Sequence, residues 1–248
     1  MNTRRRPADR RETRSSSWPP ETVLGMLRES ERDGLLSLGV LREWATGSTL
    51  LMEGDTRKHV LVLDAGWVKV VAQLEEGGQA LLALRSRGDL VGEQAAVEDA
   101  PRSASVVSAI PVRAYVIQRE PFLKYLRERP DVHLAVTQTL SAKLRSETRR
   151  RVDFGILNAE VRLARVLCDL ARRNSRPTDE GIELGYTLTQ PELAAMIGIS
   201  EPSLQRALRK LRELGVVSTG YRRIIIRDMA KLERIARPGL NGGQDAIR

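Results

Sequence analysis

The 248 residues include a single cysteine, Cys168, and two histidines, His59 and His133. One thiol cannot close an internal disulfide, and a four-cysteine zinc or iron–sulfur site is excluded within one chain. A reducing, cytoplasmic setting is expected. Aromatics are scarce too, at two Phe, three Trp and four Tyr, so any core must lean on Leu, Val, Ile and Ala. No apolar run approaches the roughly 18–20 residues of a membrane span. The arginine-rich N-terminus lacks the apolar stretch of a secretory leader, and no membrane partner is expected. The length allows one or two domains with real cores.

What the chain has in excess is positive charge, unevenly placed. Residues 21–130 hold 14 Lys and Arg against 16 Asp and Glu, whereas residues 154–248 hold 16 against 11. Basicity of this kind suits nucleic acid or another acidic surface. Residues 1–20, Arg-rich and then Ser- and Pro-rich, read as a disordered basic tail, and residues 238–248 as a second tail.

From Glu21 to about Gly39 the apolar spacing is helical, broken near Asp33-Gly34. From Ala45 to Ile117 short apolar segments alternate with turns such as Glu53-Gly54-Asp55, Ala65-Gly66 and Gly77-Gly78. That pattern argues for an antiparallel sandwich or roll. Residues 88–106 interrupt it once, with a glycine turn, a short acidic helical piece and a Pro101-Arg102-Ser103-Ala104 return. Glycine permits tight geometry, amides at a helix start face an anion, and arginine adds charge-assisted hydrogen bonds to phosphate. Glu93 would be repelled by phosphate and suits a sugar hydroxyl instead. The stretch predicts a site for a small sugar phosphate.

Asp131 is a plausible cap for a long helix running to about Phe154. Val136, Leu140 and Leu144 recur at i, i+4, and the stripe then meets Glu147, Thr148 and Arg151. A seam this narrow suits pairing with a second copy; its polar members are candidates for ligand contact or for setting register. Asn158 caps the next helix, and 174–185 reads as loop.

The stretch 187–214 holds a second signal. Thr189 and Glu192 have capping-box spacing, Leu188 and Leu193 occupy staple positions, and Gly198 ends the helix. A second helix starts after Ser200 and is expected to bury Leu204, Leu208, Leu211 and Leu214. It leaves Glu201, Ser203, Gln205, Arg206, Arg209 and Arg212 to solvent. Two short helices around a glycine turn match a DNA-binding helix-turn-helix. Thr189 and Ser200 stand at the helix starts, Arg206 is placed to read guanine, and Glu201 or Gln205 to contact cytosine or adenine. Arg209 is assigned to phosphate. Gly220-Tyr221-Arg222-Arg223, between two β-branched runs, reads as a basic wing, adding Arg222 and Arg223 to the DNA set.

With these motifs in hand, the chain resembles the Crp/Fnr family of bacterial transcription regulators over roughly residues 21–237. Gly92-Glu93 followed by Pro101-Arg102-Ser103-Ala104 is similar to that family's phosphate-binding cassette in its cyclic-nucleotide version, and Arg129-Pro130-Asp131 and Arg162-Leu163-Ala164 also fit. The resemblance implies an α+β fold: an effector-binding antiparallel β-roll (21–130), a dimerisation helix and hinge (131–156), and a winged helix-turn-helix domain (157–237). It implies that Glu93 binds the ribose hydroxyl, that Arg102 and Ser103 bind the cyclic phosphate with help from Gly92, and that Glu147 and Thr148 face the base. In cyclic-AMP-responsive members a Thr-Ser pair stands there. The start of the recognition helix, Ser200-Glu201-Pro202, also departs from the catabolite activator protein's Ser-Arg-Glu. The cysteines of the iron–sulfur oxygen sensors are absent, and two histidines do not make a haem site; no metal is expected.

The resulting expectation is a homodimer, paired through Val136, Leu140, Leu144 and Arg151. It binds double-stranded DNA under control of a cyclic nucleotide, cyclic AMP first, and RNA polymerase is a further partner the resemblance admits. The alternative is a DNA-binding regulator whose cassette takes another effector or none. No nucleophile–base pair, metal cluster or P-loop is visible, so an enzyme is not expected.

Overall fold

The computed structural model describes residues 18–73 and 79–237. The expected tails and the Gly77-Gly78 turn therefore lie wholly or largely outside the described residues. The chain opens with two short helices, α1 (Val23–Met26) and α2 (Glu29–Ser37). The break falls at Leu27-Arg28 and not at Asp33-Gly34. Gly34 lies inside α2, and a Cβ there would lie 2.3 Å from the Tyr125 hydroxyl; the glycine makes room for a neighbour.

Two four-stranded antiparallel sheets form the roll. One has the order β1 (Val40–Trp44), β8 (Val112–Ile117), β3 (Val60–Ala65), β6 (Leu90–Val91); the other β2 (Thr49–Leu51), β7 (Ser105–Ser108), β4 (Trp67–Gln73), β5 (Gln79–Ser86). Leu61, Leu63, Val68, Val91 and Val106 meet between them. Strand β1 shows no alternation of burial, so no period-two signal marks it in the sequence. Helix α3 (Glu93–Glu98) crosses the roll after Gly92, whose φ of 82° is left-handed.

Helix α4 (Arg119–Glu128) leads into α5 (Pro130–Ile156), which begins at the proline, one residue before the expected cap Asp131. The N-terminal half of α5 buries Val132, Ala135 and Val136 against α1, α2 and α4. Helix α6 (Ala159–Arg173) starts under Asn158, whose side chain accepts from the Val161 amide at 3.0 Å. Residues 174–185, expected as loop, form a hairpin of β9 (Ser175–Thr178) and β10 (Gly181–Leu184). Strand β9 tolerates Pro177 because it is an edge strand. Beyond α7 (Gln190–Ile197) and α8 (Glu201–Glu213), β11 (Val217–Gly220) and β12 (Arg223–Ile226) extend that hairpin into a third sheet, and α9 (Met229–Ala236) packs on α6. No helix among the described residues is long and apolar enough to cross a membrane.

The C-terminal domain is docked on the roll. Trp67, Val71, Leu81 and Leu84 share one apolar cluster with Tyr186, Leu188, Met196 and Ile197. The Trp67 and Tyr186 rings meet edge-on at 5.1 Å, and Lys69 ion-pairs with Glu192. Burial pushes the Glu192 carboxyl up, but the Lys69 pair and the cap hydrogen bonds from Thr189 outweigh it, leaving the pKa below the ordinary value. A carboxylate so depressed stabilises the fold above the ordinary Glu range, and that contribution disappears as pH falls through its folded value. The docked arrangement should therefore loosen in acid, below the ordinary Glu range. Glu192→Gln should be looser already at neutral pH; limited proteolysis across the pH range checks this, and equal cleavage of both proteins would show the pair to be idle.

Candidate effector pocket and DNA-binding face

The loop 88–106 is organised by one buried guanidinium. Arg102 is 4% exposed. Its Nη1 donates to the Gly92 carbonyl at 2.7 Å and its Nη2 to the His59 carbonyl, while Nε is buried without a partner. The backbone around it is stapled to the Glu53-Gly54-Asp55 turn, with the Arg102 amide donating to Asp55 O at 3.0 Å and the Gly54 amide to Arg102 O at 2.9 Å. Burial pushes the Arg102 pKa down, against the pull of the Asp55 and Glu93 carboxylates. Burial, with Arg102 and Arg57 nearby, also pushes His59 down. A desolvated cation with an unused donor favours an anion. Gly92 is required at its position: its φ is left-handed, and a Cβ would lie 2.5 Å from Arg102 Nη1 and 2.8 Å from Leu51.

Gly92, Glu93, Arg102, Ser103 and Glu147 converge on one cavity of about 270 Å³. Glu93 is buried, and its Oε1 accepts from Lys143 Nζ at 2.6 Å; the same ammonium donates to the Leu90 carbonyl at 2.9 Å. Sequence reasoning missed Lys143, although it stands four residues before Glu147 and so on the same helix face. It also missed Leu82 and Arg85 of β5, which complete the wall. A bulge between the Val70–Ala83 and Val71–Leu81 pairs leaves Leu82 without a partner of its own. Thr148 does not line this cavity. One residue further on, it is turned by about 100° around the helix and lines an outer groove with Leu144, Val152 and Ile156.

Of the residues expected in the dimer seam, two face inward within this chain. Val136 is 2% exposed and packs into its own domain, and Leu140 leans on the same cluster. The apolar residues that α5 leaves exposed are Leu134 and then Leu144, Val152, Phe154 and Ile156. Arg151 is exposed beside them.

In the C-terminal domain Thr189 and Glu192 close the capping box around α7. Gly198 ends α7 with φ 65°, and a Cβ there would lie 2.9 Å from the Phe154 ring; the turn thus packs on the end of α5. Helix α8 buries Leu204, Ala207, Leu208 and Leu211 and exposes Glu201, Gln205, Arg206 and Arg209; Leu214, expected to be buried with them, is the C-cap beyond the last helical residue and stays exposed. Its first turn carries a polar chain: Ser200 and Ser203 hydroxyls are 3.0 Å apart, and Arg206 Nη2 donates to Ser203 Oγ at 2.8 Å. Gln205 donates to Gln190 Oε1 at 3.2 Å. Arg206 and Arg209 have no carboxylate partner among the described residues. In the wing, Arg222 sits at the exposed turn with φ 52°, its Nη2 donating to the Thr187 carbonyl at 3.4 Å. Arg223, the other wing residue of the expected DNA set, is engaged within the chain. It pairs with Glu183 at 3.1 Å, because β12 lies beside β10, and with Arg176 it holds the Glu183 carboxyl below its ordinary pKa.

A roll with a buried cation in a sugar-phosphate-sized cavity, joined by one long helix to a winged helix-turn-helix, defines a two-domain transcription regulator. Comparison with known proteins agrees. Residues 41–129 match the cyclic nucleotide-binding domain, and residues 161–235 the Crp-like helix-turn-helix domain. The chain belongs to the Crp/Fnr family of transcription regulators. It is 25% identical over 195 residues to the CRP-like cAMP-activated global transcriptional regulator of Mycobacterium tuberculosis, covering 79% of this chain and 87% of that one. It is 29% identical over 210 residues to the cyclic AMP receptor protein of Thermus thermophilus, covering 85% and 94%. In fold it is similar to FixK2 from Bradyrhizobium japonicum, with a TM-score of 0.70 at 18% identity over 81% of this chain and 98% of that one. The family is one of transcription regulators, not of enzymes.

Proposed function

We propose that the protein is a homodimeric regulator whose affinity for DNA is set by cyclic AMP bound in the β-roll. The observation that carries the effector reading is the buried Arg102 Nε, unpartnered beside a cavity that also holds Glu93 and Ser103. Arg102 and Ser103 take the cyclic phosphate, Gly92 lets the chain approach it, and the Glu93 oxygen not used by Lys143 accepts from the ribose hydroxyl. Both curated relatives above carry cyclic AMP in their descriptions, which supports the adenine base. A ligand shifts DNA affinity only through unequal affinity for two domain poses. The β4–β5 pair is suited to report it, since Val70, Leu82 and Arg85 face the cavity while Val71, Leu81 and Leu84 hold the C-terminal domain.

One observation favours a second reading. Glu147 brings a carboxylate to the base end of the cavity; guanine offers N1–H and its amino group side by side to such an acceptor, and adenine only its amino group. Calorimetric titration with cyclic AMP and cyclic GMP, with DNA binding repeated under each, decides between them, and no heat from either would leave the cassette to another effector or none.

For the DNA face, Thr189, Ser200, Glu201, Ser203, Gln205, Arg206, Arg209 and Arg222 form the contact set, with Arg206 as base reader. Arg206→Ala should lower discrimination between specific and random DNA by about 1–3 kcal/mol; equal losses on both would make it a phosphate contact. For the dimer, the exposed stripe beginning at Leu144 replaces the inward-facing Val136. Leu144→Asp with Val152→Asp should give monomers in sedimentation, and a persisting dimer would place the interface elsewhere.

A further inference from the structure

A second cavity is more cationic than the effector pocket. About 400 Å³ in volume, it lies where β5, the C-terminal part of α5, α6, α7 and α9 meet, and is lined by nine Arg and Lys side chains against three carboxylates. Those carboxylates are already spoken for. Asp153 pairs with Arg165, while Asp169 and Glu233 both pair with Arg172, at 3.2 and 3.3 Å. Lys143 is engaged by Glu93.

Arg85, Arg149, Arg150 and Arg173 have no carboxylate partner among the described residues. Arg150 Nη1 donates to the carbonyl of the bulged Leu82 at 2.7 Å, and Arg85 Nη1 to the Leu84 carbonyl at 2.8 Å. Arg162 donates to the Ile197 and Gly198 carbonyls, at 3.2 and 3.3 Å, and lies over the Phe154 ring at 5.6 Å, while its Nε is buried without a hydrogen-bond partner. Burial, then the neighbouring Arg85, pushes the Arg150 pKa down, with Arg173 adding to the effect.

Folding alone does not account for this grouping. A cation in the last turn of a helix gains from the peptide dipoles, which covers Arg173 at the end of α6 but neither Arg85 on a strand nor Arg150 inside α5. Guanidiniums gathered in a recess repel one another and lose hydration. A counter-anion relieves both costs, and arginine forks match phosphoryl oxygens in pairs.

We propose that this cavity is a second ligand site, which binds a small anion carrying two or more phosphoryl groups. A single cyclic phosphate, with one charge, would leave most of the arginines unneutralised. The volume falls in the range of small-molecule sites. Duplex DNA is the less suitable occupant, because Arg150 and Arg162 are recessed between the two domains, whereas α8 presents the outer DNA-binding face. The walls come from both domains, so an occupant favours the docked pose over any pose that separates β5 from α6. Arg85 and Lys143 line this cavity and the effector pocket alike, so occupation of one is felt at the other. The proposal stands independently of which nucleotide fills the effector pocket.

The test is calorimetry and thermal melting of the full chain with inorganic pyrophosphate, inorganic tripolyphosphate and adenosine triphosphate, against sulfate at matched ionic strength. Tripolyphosphate should bind about tenfold or more tightly than sulfate and raise the melting temperature. Comparable binding of the nucleotide would show that only the phosphates are read, and tighter binding that the base is read too. Arg150→Gln with Arg173→Gln should weaken tripolyphosphate by roughly tenfold or more, whereas Arg102→Ala should keep it. Arg149→Gln, at an exposed position on the rim, provides a milder variant if the double one melts early, and should weaken binding by a few-fold. Equal effects of sulfate and tripolyphosphate would overturn the proposal. So would loss of binding in Arg102→Ala alone, which would assign it to the effector pocket. Unchanged anion binding in the arginine variants, with a shallower salt dependence of DNA binding, would reassign the cluster to the DNA backbone.

Discussion

Arg102→Ala is expected to weaken cyclic-nucleotide binding by roughly 10- to 150-fold, the equivalent of about 1.5–3 kcal/mol for hydrogen bonds to a charged group. The phosphate loses its fork of donors, and no other cation among the described residues stands in the same loop between Gly92 and Ala104. The substitution also strips the Gly92 and His59 carbonyls of their donor, at about 1–3 kcal/mol each where water does not replace it. Folding must therefore be measured beside affinity. Arg102→Lys separates the two effects: it restores charge but not the fork, so it should recover only part of the affinity. A folded Arg102→Ala protein that binds nucleotide as tightly as the parent would end the phosphate assignment.

Trp67→Ala is expected to cost about 3–5 kcal/mol of stability, the range for deleting a fully buried aromatic side chain. The effect should centre on the joint between the domains. Trp67 is 1% exposed and meets Tyr186 edge-on across that joint, and the same burial pushes the Tyr186 phenol up to about 12. Denaturant unfolding followed at both domains should pass from one transition to two. Trp67→Phe keeps an aromatic ring and removes an indole N–H that is buried without a partner. It should cost much less than the alanine variant, since deleting an unsatisfied donor offsets part of the lost packing. A loss below about 1 kcal/mol for Trp67→Ala would mean that the domains do not dock in this way.

Much of the candidate site was legible in order along the chain, and for a local reason. Gly92, Glu93, Arg102 and Ser103 lie within one loop, where glycine geometry, a helix start and an arginine act over a few residues. The capping box at Thr189 and Glu192 and the glycine turn at Gly198 are local in the same sense. Misreadings occurred where the deciding contact is distant. Val136 and Leu140 share helical spacing with Leu144, and spacing alone does not say which neighbour an apolar face meets: α1, α2 and α4 take the first two. Gly34 looked like a helix break until Tyr125, far along the chain, occupied the space beside it. The pairing of Arg223 with Glu183 depends on β10 lying beside β12 and is not visible from the local sequence.

The sequence by itself determined many of the elements and the chemistry held within short stretches: most of the roll's strands but not β1 or the β9–β10 hairpin, the cassette's cation and carboxylate, and the two helices around Gly198. These follow from propensities, caps and periodicities that act within a few residues. Only the tertiary structure decided what those groups face. It paired Glu93 with Lys143, turned Thr148 away from the cavity that Glu147 enters, locked Trp67 against Tyr186, and gathered arginines from β5, α5 and α6 into one recess. Burial and charge pairing are properties of the closed three-dimensional arrangement, in which residues as far as 50 or 123 positions apart come into contact.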